Sequence, residues 1–287
     1  MKLQGRNALI TGGSQGLGRA IAESFLREGA SVVLCARDQA ALDTAVHELK
    51  PLAAPGRRVL GHACDVSNEP QVNALVAFAQ RELGVIDVLV NNAGVYGPMG
   101  PTESVALADW MRAIEINLYG VLLPSRALMP AFKAAGRGKI IVLSGGGATN
   151  PMPNVSAYAA SKAAVVRLME TLAEELRPFH VDVNAIAPGA LNTRLLDEAL
   201  AAGREKVGDA FFQKLLQQRD SGGVPLAKGA ALAVYLASDA SNGITGKLIS
   251  AQWDPWPELH THRDALNKSD IYALRRIVPE DRGQKWS

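Results

Sequence analysis

The sequence predicts an α/β fold: a doubly wound parallel sheet with helices on both faces, organised as a single domain. Short apolar runs alternate with longer segments of helical period through most of the 287 residues. The runs are apolar at nearly every position, which marks strands buried on both faces, as in parallel sheets covered by crossover helices. A glycine-rich turn, Thr11-Gly12-Gly13-Ser14-Gln15-Gly16-Leu17-Gly18, joins the first run to the first helical segment. A hydrophobic content of 48% over this length suffices for one sizeable core.

The first strand is predicted over 7–10 and the first helix over about 16–28. A strand over 31–36, a helix over 40–49, a strand over 58–64 and a helix over 71–83 continue a βαβαβ run. The fourth strand spans 86–90, and one long helix follows, its apolar stripe passing through Trp110, Ile114, Leu118 and Leu122. A fifth strand over 139–143, a helix over 156–177, a sixth strand over 181–186, a helix over 227–236 and a last strand over 247–250 complete the alternation. Two stretches depart from it. Residues 189 to about 222 follow a strand end and carry Leu195, Leu196, Phe211, Phe212, Leu215 and Leu216 at helical spacing, the pattern of an apolar lid. The tail, 251–287, holds three of the four tryptophans together with Leu266, Ile271 and Leu274. Such a tail needs burial, against the domain or at a subunit interface.

Thirty basic and 28 acidic residues leave a net charge of +2, with no run of five like charges, so a nucleic-acid partner is not expected. No apolar run approaches the roughly 18 residues that span a bilayer. The first residues pass directly into a strand, leaving no room for a signal sequence. A soluble, cytoplasmic protein is expected. Cys35 and Cys64 have no neighbouring ligands and read as buried thiols. His260 and His262 lack a carboxylate or thiolate set, so no metal site is expected.

Two constellations carry chemistry. The glycine-rich turn lies where a backbone passes close to a pyrophosphate held at a helix N-terminus. The second strand ends in Ala36-Arg37-Asp38, which meets an adenosine ribose in such a unit. An acidic side chain at that end suits the free hydroxyl of NAD, whereas arginine suits the phosphate of NADP. With Ala36 followed by Arg37, NADP is favoured and NAD is the alternative. The second constellation is Tyr158 and Lys162, one helical turn apart, with Cβ atoms roughly 5–6 Å from each other. A cation near a phenol of pKa about 10 favours its ionised form. The pair can exchange a proton with a secondary alcohol or ketone.

Together these motifs resemble the short-chain dehydrogenase/reductase family, in its Rossmann-like single-domain branch that includes the 3-oxoacyl-carrier-protein reductases. The resemblance covers roughly residues 5–250. Thr11 to Gly18 match its TGxxxGxG loop, with Gly12, Ser14, Gln15, Gly16, Leu17 and Gly18 at the nucleotide. Asp65 and Val66 match its adenine contact, and Asn91, Asn92, Ala93 and Gly94 the motif that steadies the sheet. Pro188, Gly189 and Thr193 match the segment that grips the nicotinamide carboxamide. The resemblance implies that Tyr158 exchanges the proton while hydride passes between substrate carbon and nicotinamide. Lys162 then lowers the phenol pKa and holds the nicotinamide ribose, and Asn117 positions a water that links the lysine to solvent. It further implies a homodimer or homotetramer and a catalytic domain over 1–250, within which the lid pattern at 189–222 falls, while 251–287 is an extension beyond the family's usual end.

The chain departs from the family at one functional position. The serine that polarises the carbonyl normally stands thirteen positions before the tyrosine, where this chain has Gly145 within Ser144-Gly145-Gly146-Gly147. Ser144 is the nearest replacement. Alternation along an extended segment points it to the opposite face, unless the glycines form a bulge that restores its aim. Asn150, Ser156 and a backbone N–H are the substitutes. The rival readings are an epimerase or dehydratase that retains its nucleotide, and a nucleotide-binding regulatory protein without turnover.

Overall fold

The structure is a computed structural model describing residues 1–286. Seven parallel strands, β1 (Asn7–Thr11), β2 (Ser31–Ala36), β3 (Val59–Ala63), β4 (Val88–Asn91), β5 (Gly138–Leu143), β6 (Val181–Ala187) and β7 (Leu248–Ser250), form one sheet in the order β3-β2-β1-β4-β5-β6-β7. The strand order reverses between β1 and β4. In open parallel sheets that switch point opens a crevice at the strand C-termini.

The helices are α1 (Gly16–Arg27), α2 (Gln39–Leu49), α3 (Glu69–Leu83), α4 (Leu107–Ile114), α5 (Gly120–Ala135), α6 (Ser156–Leu176), α7 (Arg194–Ala202), α8 (Arg204–Val207), α9 (Asp209–Ser221), α10 (Leu226–Ala237) and α11 (Arg263–Asn267). Strand residues divide between two apolar layers. Ile10, Leu34, Val90, Ile141 and Ile186 pack under α1 and α10. Leu9, Val33, Leu89, Ile140 and Val142 pack under α3, α5 and α6. Helix starts follow local chemistry: Asp38 caps α2 by accepting from the Ala41 N–H at 3.1 Å, and Asn68 caps α3 by accepting from the Gln71 N–H at 3.1 Å.

The single long helix expected through Trp110 and Leu122 is interrupted. Glu115–Tyr119 forms a π turn between α4 and α5, with Asn117 at its centre. The Asn117 side chain bonds across to Val95, a contact outside the helix. Single-turn π bulges of this kind concentrate at functional sites.

The stretch 189–222 folds into α7, α8 and α9 over its own apolar cluster of Leu196, Ala199, Val207 and Leu215, against which Tyr96, Met99, Phe211 and Phe212 pack. The tail lies on the domain: Leu259 and Leu266 enter the layer under α10, and Trp256 sits 5.8 Å from the Tyr235 ring. Tyr272 also covers the open edge of β7, its carbonyl accepting from the Leu248 N–H at 2.8 Å. Burial is less complete than the composition implies, since Trp253 is 78% and Trp286 76% exposed. Among the described residues, no helix is long and apolar enough to cross a membrane.

Candidate active site

At the switch point the chain from Thr11 to Gly18 turns tightly enough to require glycine. Gly12 has φ +63°, and a Cβ there would lie 2.9 Å from Asn92 Nδ2. A Cβ on Gly18 would lie 2.3 Å from the Gly12 carbonyl oxygen. Asn92 pins the turn, its Nδ2 donating to the Thr11 and Gly12 carbonyls at 3.0 Å each. Thr11 Oγ1 accepts from the Asn92 and Ala93 N–H groups in return, and Asn91 Nδ2 donates to Ser125 Oγ. Gln15 offers α1 no side-chain cap, which leaves the first amides of the helix for a ligand phosphate.

The far end of the crevice carries the ribose and adenine candidates. Arg37 is exposed at the rim, whereas the Asp38 carboxylate is occupied as the cap of α2. Asp65 Oδ1 accepts from the Ser67 N–H and hydroxyl, and Oδ2 accepts from Arg112. Burial works to raise the Asp65 carboxyl, but these bonds outweigh it and hold the group below its ordinary pKa. On the opposite wall the segment from Pro188 to Thr193 crosses toward the glycine turn, so that a Cβ on Gly16 would lie 3.5 Å from Thr193 Cγ2.

Tyr158 and Lys162 project from the first turns of α6. Lys162 Nζ donates to the Leu143 carbonyl at 2.7 Å and stands 5.8 Å from the centre of the Tyr158 ring. Asn117 Oδ1 accepts from the Val95 N–H at 2.8 Å, while its Nδ2 donates to the Val95 carbonyl and to Ser161 Oγ, both at 2.9 Å. Ser161 Oγ in turn donates to the Tyr158 carbonyl. Asn117 thus ties the loop after β4 to the helix that carries the tyrosine. Burial pushes the Lys162 ammonium down to about 8. Burial, with Tyr96 adding to it, pushes the Tyr158 phenol well above its usual value. The expected lowering of the phenol by Lys162 does not appear, because the ammonium is directed at the Leu143 carbonyl and burial disfavours both charges.

Gly145 has a steric cause. A Cβ at this position would lie 2.2 Å from Tyr158 Oη, so the phenol occupies the space a side chain would take. The backbone at Gly145 is fully extended, φ −170° and ψ 173°, and Ser144 still donates to the Ile186 carbonyl. The bulge that would redirect Ser144 is absent. Its Oγ is enclosed and has no hydrogen-bond partner. Of the substitutes, Ser156 Oγ accepts from Trp110 Nε1 at 3.0 Å, and Asn150 faces the crevice beside Thr149, to which it donates. Ser144→Ala is therefore expected to leave turnover near the wild-type rate and to raise stability by about 1 kcal/mol, since it removes a buried unpaired hydroxyl. Paired kcat and chemical-denaturation measurements check this. A loss of about 10²-fold would show that the hydroxyl reaches the substrate.

All the candidate residues except Gly18 and Asn117 line one cleft of about 1580 Å³. Pockets for single small ligands run to about 1,000 Å³, so a dinucleotide and a substrate fit together. The cleft also takes in Tyr96, Met152, Phe211 and Trp253, together with Cys35 and Cys64 at the end that carries Arg37 and Asp65. No motif marked Tyr96 or Met152, whereas Phe211 belongs to the apolar pattern of 189–222 and Trp253 to the tail.

A parallel sheet with a glycine-rich turn at its switch point, and a tyrosine and lysine beside it, is the arrangement suited to a nicotinamide-nucleotide oxidoreductase. A short chain dehydrogenase family profile matches residues 6–203, and the chain belongs to that family. It is 33% identical over 261 residues to 7α-hydroxysteroid dehydrogenase of Escherichia coli, covering 91% of this chain and 98% of the relative. A solved 7α-hydroxysteroid dehydrogenase complexed with NADH and 7-oxo glycochenodeoxycholic acid matches with TM-score 0.75 and 33% identity, over 87% of this chain and 93% of that one. Levodione reductase matches with TM-score 0.78 and 31% identity over 86% and 96% of the two chains. A gluconate 5-dehydrogenase from Burkholderia cenocepacia, in complex with NADP and tartrate, matches with TM-score 0.75 and 29% identity over 87% and 94%. The protein is accordingly a nicotinamide-dependent oxidoreductase that transfers hydride between the nucleotide and an alcohol or ketone. The epimerase and regulatory readings are not favoured.

Proposed function

We propose that the protein is an NADP-dependent reductase of cyclic ketones and their secondary alcohols, with Tyr158 as general acid and base. The observation that carries the reading is the position of Tyr158 Oη: buried and held neutral, it lies against Gly145 in the cleft that also holds the glycine turn. A phenol kept protonated suits the reductive direction, in which the substrate oxygen needs a proton. When bound, the nicotinamide supplies the hydride. Lys162, held at about 8, can pass a proton to Tyr158 near neutral pH. Asn117 fixes the loop and helix that carry these groups. The ring-lined substrate end, with Tyr96, Met152, Phe211 and Trp253, supports an alicyclic substrate, as do the names of the steroid and levodione relatives.

Residues 189–222 serve as the substrate lid, supported by the packing of Tyr96 against their apolar cluster. Exposed Leu107, Met111 and Tyr119 along α4 and the turn after it support a homodimer or homotetramer. The NADP preference rests on Arg37, exposed at the rim, with Asp38 taken up as a helix cap. Arg37→Ala is expected to weaken NADPH binding by about 10- to 100-fold, the worth of a charge-assisted contact, and to spare NADH. Titration with both nucleotides checks it, and equal losses would remove Arg37 from phosphate recognition. The reaction itself is tested by following NADPH consumption at the nicotinamide absorbance with a panel of cyclic ketones. Consumption with open-chain or sugar ketones alone would overturn the substrate class.

A further inference from the structure

Given the reductase reading above, we propose that Tyr96 is a second catalytic phenol: its hydroxyl donates a hydrogen bond to the substrate oxygen that Tyr158 protonates, supplying the donor for which this chain has no side chain at Gly145. Three observations converge on it.

The first is placement. The Tyr96 ring lies 4.7 Å from the Tyr158 ring, tilted by 57°, and both line the cleft. On its other side stands Phe211 of α9, 6.4 Å away and edge-on at 81°. Tyr96 is therefore the middle ring of a row that runs from the lid to the general acid.

The second is rigidity. Both backbone groups of Val95 are bonded to Asn117. On the other side, Gly97 has φ +74°, and a Cβ there would lie 2.5 Å from Ala113 Cβ. The loop that carries Tyr96 is fixed on both flanks, as a preorganised donor requires.

The third is the state of the hydroxyl. Ser144 Oγ is enclosed and unpaired, whereas Tyr96 lines the cleft, and among the described residues its hydroxyl has no hydrogen-bond partner. Burial of the ring raises its pKa, so it stays a phenol and a donor. A ketone oxygen has two lone pairs. As hydride reaches the carbonyl carbon, the Tyr158 O–H bond breaks and the product O–H bond forms. The Tyr96 O–H bond stays intact and stabilises the charge that develops on that oxygen.

The test uses Tyr96→Phe, Tyr96→Leu and Tyr158→Phe, assayed with NADPH and a cyclic ketone that the wild type reduces. Tyr96→Phe keeps both ring contacts and removes only the hydroxyl. It is expected to bind NADPH and to melt like the wild type while losing about 10²-fold in kcat, with Tyr96→Leu at least as impaired. A Tyr96→Phe variant at the wild-type rate, with only Tyr96→Leu impaired, would mean that the ring merely packs and would overturn the proposal. If Tyr158→Phe itself keeps the wild-type rate, the assignment of the general acid fails and this proposal falls with it. An inactive Tyr158→Phe beside a fully active Tyr96→Phe overturns the proposal alone.

Discussion

Tyr158→Phe is expected to lower kcat by about 10²–10⁴-fold, the usual worth of a positioned general acid, while NADPH still binds. The substitution removes one oxygen and leaves the ring against Tyr96, so the fold loses little. The same oxygen occupies the place of a side chain at residue 145, and its removal opens room there. Activity in Tyr158→Phe is therefore not expected to recover through a neighbouring hydroxyl, because Ser144 Oγ is enclosed. Steady-state kinetics with a nucleotide titration checks both halves. A variant that fails to bind NADPH would instead place Tyr158 in nucleotide binding.

The second large effect concerns Lys162. Burial lowers its pKa from 10.5 to about 8 in the folded protein, so between those values the unfolded chain binds more protons than the folded one. Stability then rises with pH across that window. Below about pH 8 the buried ammonium carries its full cost, and above about 10.5 the cost is gone. Lys162→Met removes this dependence. The stability of the wild type relative to Lys162→Met is thus expected to improve by about 3 kcal/mol between pH 8 and 10.5. Turnover of the variant falls by about 10²-fold or more. Denaturant titrations of the nucleotide-free protein across that range measure the difference. A difference independent of pH would show that the ammonium is charged at little cost where it sits.

The sequence disclosed most of the frame, for reasons of period and position. Continuous apolar runs identified all seven strands, and the glycine turn marked the switch point of the sheet, because tight turns leave few residue choices. Features that depend on partners distant in the chain were not legible. The π turn carries Asn117, whose side chain is bonded to Val95, and Tyr96 lies between the rings at 158 and 211. Neither pairing follows a local spacing. Gly145 was visible as a departure, yet only the structure shows the phenol standing in its Cβ position. Counting tryptophans could not say which of them the domain covers: Trp256 packs on Tyr235, whereas Trp253 stands exposed at the cleft mouth.

Hydride transfer is tested most directly with NADPH deuterated at the transferable C4 position of the nicotinamide and a cyclic ketone, by mass spectrometry of the alcohol formed. Deuterium on the carbinol carbon, lost together with turnover in Tyr158→Phe, is the predicted result. Product free of label, or label exchanged into solvent, would contradict the account.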